Sequence, residues 1–126
     1  GIAVLETGDT VGSWLENVVI SGTTGINRSG WLTTGGVTFY KSPVVLRNSR
    51  LIYSKADDDI NIVHSRFLAY NSEFAHTTAA GGDGLDGDFV QGRIENCAFH
   101  DLRGDGVDLS GSQVTIDGAM FQHMGD

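Results

Sequence analysis

The chain has 126 residues, a net charge of −8 and eighteen glycines against a single proline, Pro43. That length fits one domain, and so acidic a chain repels nucleic-acid backbones and anionic membranes, leaving cations or basic partners as company. Its one cysteine, Cys97, excludes an internal disulfide and a cysteine-based zinc site, and no apolar run reaches the ~18 residues of a membrane span, so no membrane insertion is expected.

Taken in order, the first element is Leu15-Glu16-Asn17, with Ile20 three positions after the asparagine. A polar, glycine-rich stretch from Ser21 to Gly30 follows, and places an insertion loop over about residues 21–35. Gly36-Val37-Thr38-Phe39-Tyr40 then alternates as a strand with one buried face. Leu46-Arg47-Asn48 leading to Leu51 repeats the opening pattern, and so do Ala69-Tyr70-Asn71 leading to Phe74 and Ile94-Glu95-Asn96 leading to Phe99. Between them stand Asp58-Asp59-Ile60-Asn61, Asp83-Gly84-Leu85-Asp86 and Asp105-Gly106-Val107-Asp108. Gln113-Val114-Thr115-Ile116 alternates again, Asp117-Gly118 leads to Phe121, and Asp126 stands where a new coil would open.

Asn17, Asn48, Asn71, Asn96 and Gly118 are separated by steps of 31, 23, 25 and 22 residues, and Asp58, Asp83, Asp105 and Asp126 by 25, 22 and 21. Two columns moving together at about 22–25 residues describe one turn of a three-strand β-solenoid, with the long first step absorbing the insertion. Helix-start signals and 3.6-residue apolar stripes are missing. The predicted fold is therefore all-β: a single-stranded parallel β-helix of about five coils, residues 1–126 forming one segment of a longer helix. Leu46, Ala69, Ile94 and Ile116 should form one inward file; Leu51, Phe74, Phe99 and Phe121 a second; Val37, Ile60, Leu85 and Val107 a third. Asn17, Asn48, Asn71 and Asn96 read as a structural ladder whose stacked amides donate to one coil and accept from the next. Asp58, Asp83, Asp105 and Asp126 read as turn caps accepting backbone N–H groups two residues on.

The asparagine column at a strand corner and coils of this length resemble the pectate-lyase-like parallel β-helix, which implies a right-handed solenoid. More narrowly, Gly36–Ser42, Asp59-Ile60-Asn61-Ile62, Asp86-Gly87-Asp88-Phe89 and Asp105–Ser112 are similar to NosD-like repeats of bacterial secreted or envelope proteins. The resemblance covers the chain from about Ser13 onward and implies a secreted or cell-surface protein. It does not choose an activity, because the fold hosts lyases, hydrolases, epimerases and non-catalytic adhesins.

In the lyases of that family the cleft lies outside the strand that here follows the aspartate column. Alternation turns Asp86, Asp88 and Asp108 outward there, level with Asn61 and Thr38. Three converging carboxylates suit calcium, a hard cation taking six to eight oxygens. A lyase also needs a base, and Lys41 and Arg66 are the candidates, although Arg66 falls past the strip and alternation points Lys41 inward. Trp31 and Tyr40 could stack on sugar rings or simply pack. His76, His100 and His123 sit at unequal offsets from the inward phenylalanines, which reads against a shared metal. The expected function is an extracellular scaffold, adhesin or glycan-binding module with a cation-binding acidic face; the alternative is a calcium-dependent polysaccharide lyase or epimerase. Partners would be a polysaccharide or a protein at the cell surface, with end-to-end self-stacking where strand edges are open.

Overall fold

The computed structural model describes residues 1–125, and every element among them is a strand. β1 (Ile2–Leu5), β2 (Ser13–Glu16) and β3 (Val19–Ser21) make the first coil. A hairpin of β4 (Ile26–Arg28) and β5 (Trp31–Thr33) follows, then the coil of β6 (Gly35–Tyr40), β7 (Val44–Arg47) and β8 (Arg50–Ile52). The third coil is β9 (Asp58–Val63), β10 (Arg66–Tyr70) and β11 (Glu73–Ala75); the fourth is β12 (Asp83–Asp88), β13 (Gln91–Glu95) and β14 (Ala98–His100). β15 (Val107–Ser110), β16 (Gln113–Asp117) and β17 (Met120–Gln122) close the series. Corresponding strands pair in parallel, giving three five-stranded sheets: β1-β6-β9-β12-β15, β2-β7-β10-β13-β16 and β3-β8-β11-β14-β17. The expected parallel solenoid is what the chain forms.

The register stacks like on like. Val37, Ile60, Leu85 and Val107 pair in the first sheet, Leu15, Leu46, Ala69, Ile94 and Ile116 in the second, Ile20, Leu51, Phe74, Phe99 and Phe121 in the third. In the middle coils these side chains are sealed into one apolar prism, and Phe74, Phe99 and Phe121 stack ring on ring at 4.8 and 5.1 Å. No single coil could bury that surface alone; each becomes core only when its neighbour covers it.

Each sheet ends on a residue in the left-handed region, and these residues form three columns. Glu6, Lys41, His64, Phe89 and Gly111 end the first sheet; Asn17, Asn48, Asn71, Asn96 and Gly118 the second; Gly22, Tyr53, His76, Asp101 and His123 the third. Each column is clipped to the next coil by its own backbone N–H. Asn17, Asn48, Asn71 and Asn96 donate to the carbonyls of Arg47, Tyr70, Glu95 and Asp117 at 3.0–3.1 Å. The other two corners repeat this, as in Lys41 to Val63 at 2.9 Å and Tyr53 to Ala75 at 3.0 Å.

That geometry corrects the picture of an amide ladder. Asn17, Asn48, Asn71 and Asn96 are exposed, and among the described residues no side-chain hydrogen bond joins one to another. Asparagine recurs because, after glycine, it tolerates φ > 0 at least cost. The polar ladder is made one residue later, by buried Ser49 and Ser72. The Ser72 hydroxyl accepts the Ser49 N–H at 3.2 Å and donates to the Tyr70 carbonyl at 2.8 Å; the Ser49 hydroxyl accepts the Val18 N–H at 3.3 Å. Cys97 continues the column and is buried.

If the corner conformation is what asparagine supplies, Asn71→Gly should be nearly neutral, while β-branched Asn71→Val should cost on the order of 1–2 kcal/mol. Urea denaturation of the two variants measures this; a valine variant as stable as the glycine variant contradicts it.

Candidate functional site

Two residues in a row face inward at the start of the first sheet. Gly35, Asp58 and Asp83 pair, as do Val37, Ile60 and Leu85, but the positions between step out of the ladder. A Cβ on Gly84 would lie 2.8 Å from the Phe99 ring, so that position points into the prism. In the preceding coil it is filled by Asp59, 1% exposed, with no hydrogen-bond partner for either carboxylate oxygen. Burial pushes its pKa up to about 8; the nearby backbone of Ser54 and Ala75 offsets this only in part, and Asp58 adds to it.

The outward positions of the same sheet make the acidic face that the alternation predicts. Thr38, Asn61, Asp86 and Asp108 stand in one register file, and Tyr40, Val63, Asp88 and Ser110 in the next. The Asn61 amide donates to the Asp86 carboxylate. Burial first, then Asp88 and Asp108, push Asp86 up to about 6. Asp58 is pushed up to about 7 by burial and by Asp86 and Asp83, and Asp83 rises for the same kind of reason. Asp83 does not cap its own turn: its carboxylate accepts the N–H of Asp105, one coil on, at 2.6 Å. Asp126 lies outside the described residues.

The insertion is a hairpin rather than the irregular loop expected from its composition. Ser29 and Gly30 form its two-residue turn with φ of 51° and 82°, the pairing that matches strand twist. The hairpin lies at the edge of the acidic face, with Trp31 edge-on to Tyr40 at 5.9 Å. Between hairpin and sheet is a small cleft of ≈ 120 Å³ lined by Trp31, Leu32, Thr38, Tyr40, Asn61 and Val63. Its floor includes the buried Thr38 hydroxyl, which has no partner.

Neither candidate base projects from the acidic files themselves; Lys41 lies at their edge, its ammonium 5.1 Å from the centre of the Tyr40 ring. Lys41 does not point inward as alternation suggests; the strand ends at Tyr40, and Lys41 sits exposed on the corner, φ 47°, with its ammonium 3.8 Å from Glu6. Arg66 opens β10 in the second sheet, where its guanidinium donates to the Asp9 carbonyl at 2.8 Å.

A second cluster, which unequal sequence offsets concealed, lies at the end of the third sheet. His76, Asp101 and His123 are successive corner residues, while His100 is the last residue of β14. His100 Nδ1 lies 2.7 Å from Asp101 Oδ2 and its Nε2 2.6 Å from Glu73 Oε1. His76 Nδ1 is 4.0 Å from Asp101 Oδ2, and His123 Nδ1 is 3.1 Å from Oδ1. The contact with Asp101, then the bond to Glu73, raise the His100 pKa against the opposing effect of burial. Glu73, bonded to Arg50 and His100, is held below the usual carboxylate range.

The fold is a parallel β-solenoid whose first sheet carries an acidic outer face. Searches of protein-family models, curated proteins and solved structures return no match to this chain.

The raised carboxyl pKa values fix a sign. Folded Asp59, Asp58 and Asp86 hold protons that the unfolded chain releases near pH ~4, so stability should fall as pH rises from there to about 8. Thermal melts should show a higher Tm at acidic than at alkaline pH across that window. Asp59→Asn should raise Tm by several degrees at the alkaline end and change it little at the acidic end; a lower alkaline Tm in that variant contradicts the assignment.

Proposed function

We propose that this chain is a binding segment of a secreted or cell-surface β-solenoid, taking calcium on its acidic face and, with it, an acidic polysaccharide. The observation that carries this reading is the outer face of the first sheet, where Asp86 sits in register with Asp108 and is pushed up in pKa by burial and then by Asp88 and Asp108. A bound cation relieves that repulsion, and side-chain oxygens from Asp86, Asp88, Asp108 and Asn61 are the hard donors calcium prefers. Uronate carboxylates would complete the cation's shell, while Trp31 and Tyr40 at the edge offer ring faces to a sugar. A protein partner at the cell surface could dock through the same cation.

The kinship with pectate-lyase-like and NosD-like helices belongs to this reading; coil length and the corner asparagines support it. The lyase or epimerase alternative has less support, because Lys41 is paired with Glu6 and Arg66 bonds the Asp9 backbone.

Calcium should raise the Tm of the chain relative to chelator, since a ligand at a hundred times its Kd adds about 2.7 kcal/mol to the folded state. Asp86→Asn with Asp108→Asn should abolish the shift. Calorimetry with polygalacturonate should then detect binding with calcium and none with chelator. An unchanged melt removes the cation from the account. The ultraviolet absorbance of an unsaturated uronate appearing in the same mixture would turn the reading toward a lyase.

A further inference from the structure

We propose a second metal site, for a borderline divalent ion of the zinc type, at the corner that ends the third sheet, built by His76, His100 and Asp101. One potential ligand atom from each residue lies within 4.8 Å of the others. The acidic face offers oxygen donors alone, suited to calcium; this corner offers imidazole nitrogens and one carboxylate, the donor set zinc takes.

The solenoid explains why the three meet. His76 and Asp101 occupy the same left-handed corner position in adjacent coils, so their side chains leave the backbone in parallel, one strand spacing apart. His123 occupies that position one coil further. His100 precedes Asp101 and reaches the same side, its ring edge-on to that of His76 at 5.2 Å.

The geometry is close to what a small ion demands. With bonds of ~2.0–2.1 Å, neighbouring donors of a tetrahedral zinc site stand roughly 3.3 Å apart. His100 Nδ1 and Asp101 Oδ2 are 2.7 Å apart, and His76 Nδ1 and Asp101 Oδ2 4.0 Å, so the pair opens and the third donor closes by well under 1 Å each. His123 Nδ1 is 3.1 Å from the other Asp101 oxygen but is not one of the mutually close ligand atoms, so the fourth position is left to water.

The surrounding groups orient the ligands. Glu73 accepts from His100 Nε2 at 2.6 Å, so Nδ1, 2.7 Å from Asp101 Oδ2, is the nitrogen that would ligate once the ion displaces its proton. Arg50 in turn holds Glu73. A carboxylate behind a ligating histidine fixes its tautomer and ring plane and raises its basicity. Tyr53, stacked on His76 at 4.7 Å and 10°, fixes the second ring. Glu73 is therefore a positioning residue. The ligands remain half-exposed, with side-chain exposures of 34% for His76, 21% for His100 and 41% for Asp101, so an ion can enter and water can fill an open position.

The test is zinc competition against a chromophoric chelator, using the whole chain, with cobalt as a spectroscopic substitute. The wild-type chain should take one equivalent at this corner and give the visible bands of tetrahedral cobalt. His100→Gln or Asp101→Asn should weaken binding by at least about tenfold, as should Glu73→Gln through loss of orientation. Asp86→Asn with Asp108→Asn should leave zinc affinity unchanged, which separates this site from the calcium face. Should a variant fail to fold, histidine ring resonances of the wild-type chain report instead: zinc should shift His76 and His100 and spare His64. No binding by the wild-type chain, undiminished binding in a folded His76→Gln/His100→Gln variant, or a shift confined to His64 overturns the proposal.

Discussion

The structure depends on one hydrogen bond made repeatedly: the N–H of a left-handed corner residue donating to the carbonyl that ends the same sheet in the next coil. It recurs at all three corners, from Glu6 to Tyr40 at 2.8 Å through Asn96 to Asp117 at 3.0 Å to Asp101 to Gln122 at 3.1 Å. A strand of three to six residues cannot hold a register by itself. Fixing both the turn and the coil above it prevents a slip of one residue, which would send every inward side chain to solvent. The apolar prism of Leu46, Phe74, Ile94 and Phe99 follows from that register and stabilises it in return.

Because inward side chains and corner backbone groups carry the fold, outward and corner side chains are free to vary. The rise from coil to coil sets residues some two dozen apart at strand spacing, so a surface is assembled by repetition rather than by loops brought from afar. The acidic face and the histidine corner are two instances on different sheets. Asp86 and Asp108 share a file within the first sheet, whereas His76 and Asp101 share a corner of the third. One presents oxygen donors beside an aromatic hairpin, and the other imidazole nitrogens and a carboxylate beside an ion pair.

Much of this was legible in the sequence, for physical reasons. The period shows through because a left-handed corner narrows the choice to few residue types, and Asn17, Asn48, Asn71 and Asn96 meet it alike. The inward files show through because burial demands apolar side chains at every coil. What stayed hidden was whatever repeats in position without repeating in identity. The corner column Tyr53, His76, Asp101 and His123 has three residue types and no visible signature, so counting from the phenylalanines separated histidines that the fold joins. Ser49 and Ser72 carry the buried ladder, but Val18 and Cys97 in the same column blur it. The burial of Asp59 left no signature, because nothing in a sequence announces two successive inward positions. The hairpin did leave a signal: Ser29-Gly30 between Ile26-Asn27-Arg28 and Trp31-Leu32-Thr33 is a two-residue turn between strand-forming runs.

Residue-resolved amide hydrogen exchange tests the central claim most directly. The corner N–H groups of Lys41, Asn48, Tyr53, Asn71 and Asn96 belong to exposed residues, yet each is bonded to the neighbouring coil. The account requires them to exchange as slowly as strand-interior amides such as those of Phe74 and Ile94, opening only with the solenoid as a whole. Exchange at these corners as fast as in a free loop would show that the coils are not held in register there.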